Sequence, residues 1–342
     1  MREKIELEGY VVNIIDEPLE ELSKDEQTRF GEGCVPVARK GFGNDGITLS
    51  DILLHALDVN TGIYIEDDKG EIVGFGGSVP EEIYNRTVLH LKGTAIHPDH
   101  QSKKLYNIIT PVRVLRDVEK LGSNVFIGSR TQSPVVFTYM SQKLGFFPQV
   151  DAKTPETIQL MSEGYAQRAR EKHSDFNTSF RFEINGGIVK KVYANSLATI
   201  KNLPADFNLE DASSTLRDGI TKQKGYERYE NKVKLKGFNL KDIQTILNDI
   251  PVSIHATLKY QEQGFSMYGP TLPKSRDPKV NKFIADNFDV QNGDGIVLLG
   301  QFDKSTYLNA LKGLTKTIDP QGKLYERFNI QNTIDLIYKK IK

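Results

Sequence analysis

The sequence predicts an α/β (α+β) fold, a mixed central sheet flanked by helices and joined to a second α+β region. Three observations predict it. Ile63-Tyr64-Ile65 and Ile72-Val73-Gly74-Phe75 read as a hairpin joined by the acidic turn Glu66-Asp67-Asp68-Lys69-Gly70. A strand over Val88–Ile96 runs through a loop into a helix over Lys103–Lys120, with Leu105, Ile108, Ile109, Val112, Leu115 and Val118 at helical spacing. A short strand, Val125-Phe126-Ile127, is then followed by a helix from Pro134 to Leu144.

The remaining elements follow from local chemistry. Ile5 to Ile15 reads as a strand, ended by Asp16-Glu17-Pro18 and followed by a polar helical segment. Thr48-Leu49-Ser50 opens a short helix with Ile52, Leu53, Ala56 and Leu57 on one face. His97-Pro98 closes the strand before it, because proline has no N–H for a sheet ladder. Pro111 inside the long helix predicts a kink or a displaced start. Gly145 is read as the C-cap of the 134–144 helix, with Phe146-Phe147 beginning another strand. Thr154-Pro155-Glu156 opens a helix to about Glu171, and Asn185-Gly186-Gly187 turns a hairpin between 180–184 and 188–192.

Beyond residue 195 a helix is expected around Leu240–Ile250, a strand over Val252–Leu258 and a buried strand at Ile296–Leu299. A helix over Asp303–Leu314 and a terminal helix around Ile334–Ile341 complete this region. The chain of 342 residues is long enough for two domains, set here at 1–195 and 196–342. The first carries 23 Lys/Arg against 28 Asp/Glu and the second 22 against 17, an asymmetry read either as two halves that attract each other or as an anionic partner for the second. The hairpin enters the second region without a Gly/Ser-rich or Pro-rich tether, so that region is expected to pack against the first and cover part of one side of it, the alternative being an independent domain on a mobile linker.

Composition excludes several classes. Apolar residues at 38% and charged residues at 26% describe a globular protein. No apolar run is long enough to cross a membrane, and the N-terminal residues lack an apolar signal core, so a cytoplasmic location is expected. Cys34 is the only cysteine, which rules out an intramolecular disulfide and a cysteine metal site. Neither half has the basic character of a dedicated nucleic-acid binder. Lys232, Lys234 and Lys236 beside Tyr226 and Tyr229 are read equally as a solvated face or an RNA or acidic-protein contact.

The informative unit is Leu91-Lys92-Gly93-Thr94-Ala95-Ile96-His97-Pro98-Asp99-His100-Gln101-Ser102-Lys103-Lys104-Leu105-Tyr106. A loop entering a helix gathers unpaired backbone N–H groups at the positive end of the helix dipole, an arrangement suited to a pyrophosphate. Lys103 and Lys104 add charge there. His97 and His100 are read as loop residues rather than metal ligands, since a zinc site needs more ligands. Gly74, Gly76 and Gly77 lack the spacing of a phosphate loop and are read as close strand packing.

These residues resemble the GNAT N-acetyltransferase superfamily over residues 60–150, and more loosely from residue 1. Ala95-Ile96-His97-Pro98 with Gln101 is similar to the end of that family's fourth strand and the start of its pyrophosphate loop. Gly70-Glu71-Ile72-Val73-Gly74 looks like its preceding hairpin, Lys143-Leu144-Gly145-Phe146 like the end of its fourth helix, and Arg130-Thr131-Gln132-Ser133-Pro134 like a segment of divergent members. Ser102, Lys104 and Tyr106 stand where the family's loop carries glycine or alanine.

The resemblance implies a splayed sheet holding acetyl-CoA as co-substrate, with no metal, and an amine-bearing acceptor that is a small molecule or a protein. It places the cofactor on Ala95, Ile96, His97, Gln101, Ser102, Lys103, Lys104, Leu105, Tyr106 and Ser133. The family's acid falls at Ser141, with Tyr139 as the substitute, and either serves here as proton donor or packs in the core. No carboxylate occurs between Glu82 and Asp99, which leaves His90 as the candidate base or a structural histidine. The expectation is an N-acyltransferase working by direct attack in a ternary complex. A non-catalytic GNAT-like interaction module with weak or no CoA binding is the alternative.

Overall fold

In the computed structural model of this chain the described residues are 1–43, 47, 49–174, 184, 185, 187–189, 273–289 and 294–329. The features expected around 226–258 and 334–341, and the 195/196 boundary, lie outside them.

The N-terminal strand expected over 5–15 is two strands, β1 (Arg2–Leu7) and β2 (Tyr10–Asp16), paired antiparallel with Leu7 opposite Tyr10. Gly9 makes the break, at a φ of +70° that costs glycine nothing and a side-chain residue something. After α1 (Pro18–Glu21) comes α2 (Lys24–Phe42), opened by a reciprocal capping box between Ser23 and Glu26. α2 buries Phe30, Cys34, Val37 and Ala38 at helical spacing. The short helix predicted near residue 50 is α3 (Leu49–Ile52) continued by a π turn, Leu53–Leu57.

β3 (Thr61–Asp67), β4 (Ile72–Ile83) and β5 (Arg86–Ile96) form an antiparallel meander. β4 runs far past the Phe75 predicted as its end. Pro80 is tolerated there because it lies beyond Ser78, where β4 has outrun β3 and one edge carries no ladder. A 3-10 turn (Pro98–Lys103) then leads into α4 (Tyr106–Leu121), which starts three residues later than predicted. β6 (Phe126–Thr131) and α5 (Pro134–Lys143) follow, with Gly145 at φ +71° just past the helix end. The strand predicted from Phe146 shrinks to one bridge, Phe147 to Leu299.

α6 (Glu156–Ser174), β7 (Ile184–Asn185), β8 (Ile188–Val189), α7 (Pro278–Asn287), β9 (Gly295–Gln301) and α8 (Lys304–Lys312) complete the described elements, with a helical segment over 323–329. The strands make one mixed sheet in the order β1-β2-β3-β4-β5-β6-β9-β8-β7. Among the described residues only β5 and β6 pair parallel. β9 lies antiparallel to β6, with Ile127 opposite Gly300, so residues far apart in the chain share one ladder.

One face of the sheet packs α4, α5, α7, α8 and the 323–329 segment over Ile14, Ile63, Leu89, Leu91, Ile127 and Leu298. The other face carries α2 and the π turn over Tyr64, Phe75 and Ala95, and α6 over Val88, Phe126, Val297 and Leu299. Gly74 and Gly76 lie under α4. A Cβ on Gly76 would stand 2.5 Å from Ile109 Cγ2 and 3.1 Å from Arg113 Nη1, so the close packing read from these glycines is present.

Gly76→Ala therefore overpacks the α4 contact and should cost about 1–3 kcal/mol. A urea midpoint within error of the wild type would show that α4 can shift to absorb the methyl.

A second prediction concerns the ion pairs at the far end of α4. Asp16 accepts from Arg116 Nε at 3.1 Å and Nη2 at 2.7 Å, and from Lys120 Nζ at 3.1 Å. Burial pushes the Asp16 carboxyl up, but the bonds from Arg116 and Lys120 outweigh it and leave the pKa lowered. A lowered folded-state pKa contributes stability above the unfolded value that is lost as pH falls through the folded one. Asp16→Asn should therefore flatten the fall in stability below about pH 4. An acid limb as steep as the wild type's, measured by denaturant titration across that window, would remove Asp16 from the account.

Candidate functional site

The site forms where β5 and β6 part. They pair only at Val88–Phe126, Leu89–Ile127 and His90–Gly128. Beyond that point β5 continues along β4 to Ile96, while β6 continues along β9 to Thr131. Two parallel strands held by different neighbours leave a fork with His90 and Gly128 at its apex. At the same level β5 carries a bulge, with Gly93 at φ +40°. Arg113 Nη1 donates to the Gly77 carbonyl at 2.7 Å and the Lys92 carbonyl at 3.1 Å, pinning α4 across the bulge.

The predicted cofactor residues fall along one rim of the fork and the loop beyond. Ala95 and Ile96 are buried at the end of β5, and the His97 N–H donates to the Val73 carbonyl at 2.8 Å. Gln101 Nε2 donates to the Ile96 carbonyl at 3.2 Å, folding the loop back on the strand that precedes it. Gln101, Ser102, Lys103 and Lys104 are exposed, and Leu105 is buried beneath them. Lys104 has a φ of +59°, the left-handed conformation for which glycine is the usual residue. The loop thus keeps a glycine-like backbone at one of the positions where this chain lacks glycine. His100 Nδ1 lies 3.0 Å from the Tyr10 hydroxyl, which ties the loop to β2.

Ser133 is buried and its hydroxyl caps α5 by accepting from the Val136 N–H at 3.3 Å. Ser141 donates its hydroxyl proton to the Phe137 carbonyl at 2.7 Å, one turn earlier in the same helix. Tyr139 packs its ring edge-on against Tyr106, with centroids 4.9 Å apart, and its buried hydroxyl has no hydrogen-bond partner. His90 is buried on the opposite face of the sheet, where its Nδ1 meets the Tyr165 hydroxyl of α6. The fork therefore has Tyr139 on the α4 side and His90 on the α6 side.

Sequence reading missed Arg113 and Tyr307. Arg113 is 1% exposed, and burial pulls its guanidinium down to about 10, so it stays charged at neutral pH. Its electrostatic neighbours are Tyr106, Asp117, Tyr307 and Tyr139. Burial pushes the phenols of Tyr106, Tyr139 and Tyr307 up, and the Arg113 charge opposes the rise at each. The signal was present in α4 as a polar stripe, Tyr106, Thr110, Arg113 and Asp117, spaced to lie on one face. Asp117 ends that stripe, accepting from Thr61 Oγ1 at 2.6 Å and from the Ser78 hydroxyl, with Lys120 Nζ 3.3 Å away. Among the described residues no group of His, Cys, Asp and Glu is placed to hold a metal ion, and no helix is long and apolar enough to cross a membrane.

No known protein family matches the sequence, and no curated protein matches it. Solved structures do. A GNAT-family N-acetyltransferase from Escherichia coli in complex with CoA is 13% identical, at a TM-score of 0.30 over 43% of this chain and 73% of that one. A GNAT-family acetyltransferase from Staphylococcus aureus is 16% identical, at 0.29 over 42% and 89%. Glucosamine-6-phosphate N-acetyltransferase from Arabidopsis thaliana is 11% identical, at 0.29 over 42% and 97%. Scores of this size carry no argument about what this chain binds or does.

The loop yields a prediction of its own. A side-chain residue in the left-handed region is strained by roughly 1–2 kcal/mol, so Lys104→Gly should leave the protein as stable or slightly more so. A clear loss in thermal midpoint would mean that the Lys104 side chain, rather than the backbone, holds the loop.

Proposed function

We propose that this chain is a CoA-dependent N-acyltransferase, with the pantetheine arm of an acyl-CoA lying in the fork between β5 and β6. The observation that carries the reading is the parting of the parallel pair β5 and β6 at His90 and Gly128, upstream of an exposed basic loop and a helix start. The pyrophosphate would sit on the backbone N–H groups of Gln101–Tyr106, with Lys103 or Lys104 supplying charge. The strand end at Ala95, Ile96 and His97 would border the arm, with Ser133 on the facing rim.

In this reading the acceptor amine reaches the thioester from the His90 side. The amine nitrogen attacks the thioester carbonyl, His90 or a water it orients takes the amine proton, and the C–S bond breaks. Tyr139 gives its phenolic proton to the departing thiolate. Its hydroxyl is the better donor of the two candidates because the Ser141 proton is already committed to the Phe137 carbonyl. Arg113 is charged beside it and stabilises the phenolate that this transfer leaves. Tyr165 holds the His90 ring and so fixes which nitrogen is available. The acceptor is an amine on a small molecule or a protein.

A second reading is favoured by the replaced loop glycines: a GNAT-like module that serves protein interaction. Thermal melts with acetyl-CoA separate the two. A ligand at a hundredfold excess over its dissociation constant stabilises the native state by about 2.7 kcal/mol. We expect an upward shift that is abolished by the double change Gln101→Glu/Lys103→Glu. No shift, together with no heat in calorimetry, makes the interaction module the better reading.

Tyr139→Phe should lower turnover at least tenfold while leaving acetyl-CoA affinity nearly intact, because only the transition state loses an interaction. Unchanged turnover in a chemistry-limited assay would return Tyr139 to the core.

A further inference from the structure

We propose that Arg113 and Tyr307 form a carboxylate-binding site on the α4 side of the fork, beside the Tyr139 phenol, taking the carboxylate either as a free small ion or at the far end of an acyl chain. Two helices bring the donors together: α4 supplies Arg113 and α8 supplies Tyr307, with Tyr139 of α5 as a neighbour of both. Arg113 and Tyr307 are each 1% exposed, and α8 packs directly on α4. Arg113 Nε, the Tyr139 hydroxyl and the Tyr307 hydroxyl are all buried without a hydrogen-bond partner. Every one of them can donate a proton, and among the described residues no acceptor is supplied to them.

The charge is equally one-sided. Among the described residues no carboxylate lies within ion-pair distance of Arg113. Asp117, one turn along α4, is held by Thr61, Ser78 and Lys120. Asp303 stands near Tyr307 but spends its carboxylate capping α8 through Ser305 and Thr306. The Arg113 Nη1 bonds go to main-chain carbonyls, which orient the guanidinium without neutralising it. A buried cation beside a phenol with an uncommitted proton is the complement of one carboxylate: two oxygens, acceptor only, one negative charge.

Charge, rather than size alone, sets the class. A neutral acyl group would leave the guanidinium uncompensated, and a second cation would be repelled. Tyr307 lies beyond the stretch that resembles the acetyltransferase family, so this lining belongs to the present chain. The free-ion arm stands apart from the acyl-transfer reading, and the acyl-borne arm rests on it.

The test uses the whole chain and wild-type melts in sodium succinate against sodium chloride of equal ionic strength, then calorimetry with acetyl-CoA and succinyl-CoA. A rise in midpoint with succinate over chloride, absent in Tyr307→Phe, places a free carboxylate in the site. Succinyl-CoA bound roughly tenfold tighter than acetyl-CoA, with the preference lost in Tyr307→Phe, places it on the acyl chain. Without any carboxylate, Tyr307→Phe should melt at or slightly above the wild type, because a buried hydroxyl with no partner is removed. Equal behaviour in succinate and chloride together with equal affinity for the two thioesters overturns the proposal. So does a large loss of stability in carboxylate-free Tyr307→Phe. A succinate effect without any acetyl-CoA binding would leave this site standing and end the acyl-transfer reading alone.

Discussion

The interaction on which the rest depends is the seating of α4 on a bulged ladder through one buried guanidinium. Where the bulge at Gly93 interrupts the pairing of β4 with β5, the Gly77 and Lys92 carbonyls accept from Arg113 Nη1. Buried carbonyls without partners are costly, and so is a buried charge, so each requires the other. One turn further on Asp117 repeats the device, accepting from Thr61 of β3 and Ser78 of β4. α4 is thereby fixed in rotation and height, and Gly76 gives it room to approach. Truncating a partner in such a contact typically costs about 1–3 kcal/mol, because the other is left buried and unsatisfied.

That docking also determines what happens at the fork. With β5 held to β4 and to α4, it does not follow β6 past His90. β6 in turn is held by β9, whose Ile296 to Gln301 run pairs with it over its full length. A splayed pair is a defect in a sheet unless each strand has another partner, and here each has. The partner for β6 comes from the C-terminal part of the chain. Phe146 packs on Gly300, and the Gln132 side chain donates to the Asp294 carbonyl at 2.9 Å, so the returning strand is bound at both ends. Bringing together segments so far apart in the chain carries an entropic cost that grows only slowly with separation, and the burial of residues 295–300 offsets it.

The elements were legible in proportion to how local their causes are. α2, α4, α5 and α8 follow from periodicity and caps, and Asp303 accepting from Ser305 and Thr306 is visible in the sequence itself. The break at Gly9 was readable as a turn, yet apolar alternation on both sides carried the strand through it. β9 was recognised as buried, but its pairing with β6 was not, because a run of Ile-Val-Leu-Leu states burial without naming a neighbour. In the site the basic loop was legible from charge and from its place between strand and helix. The left-handed Lys104 was not, since a lysine gives no sign of the conformation its neighbours impose. Tyr307 was hidden for a different reason: it reads as one more apolar position on an amphipathic helix, and only the three-helix meeting shows its hydroxyl unpaired.

The two faces of the fork are chemically unlike, and this bears on how a reaction there would be divided. On the α6 face His90 is hydrogen-bonded to Tyr165, so the imidazole is held in one orientation. On the α4 face the groups are a fixed positive charge and phenols whose pKa values burial has raised, all of which keep their protons at neutral pH. Such a wall does not accept protons; it donates them and stabilises negative charge. A group held between the two faces would meet an oriented imidazole on one side and hydrogen-bond donors beside a cation on the other. Amine attack on a thioester generates that polarity, shedding a proton from the nucleophile as negative charge develops on oxygen and then on sulfur. The asymmetry is built by the sheet itself, because alternation along β5 sends His90 to one face and Leu89 and Leu91 to the other, beneath α4.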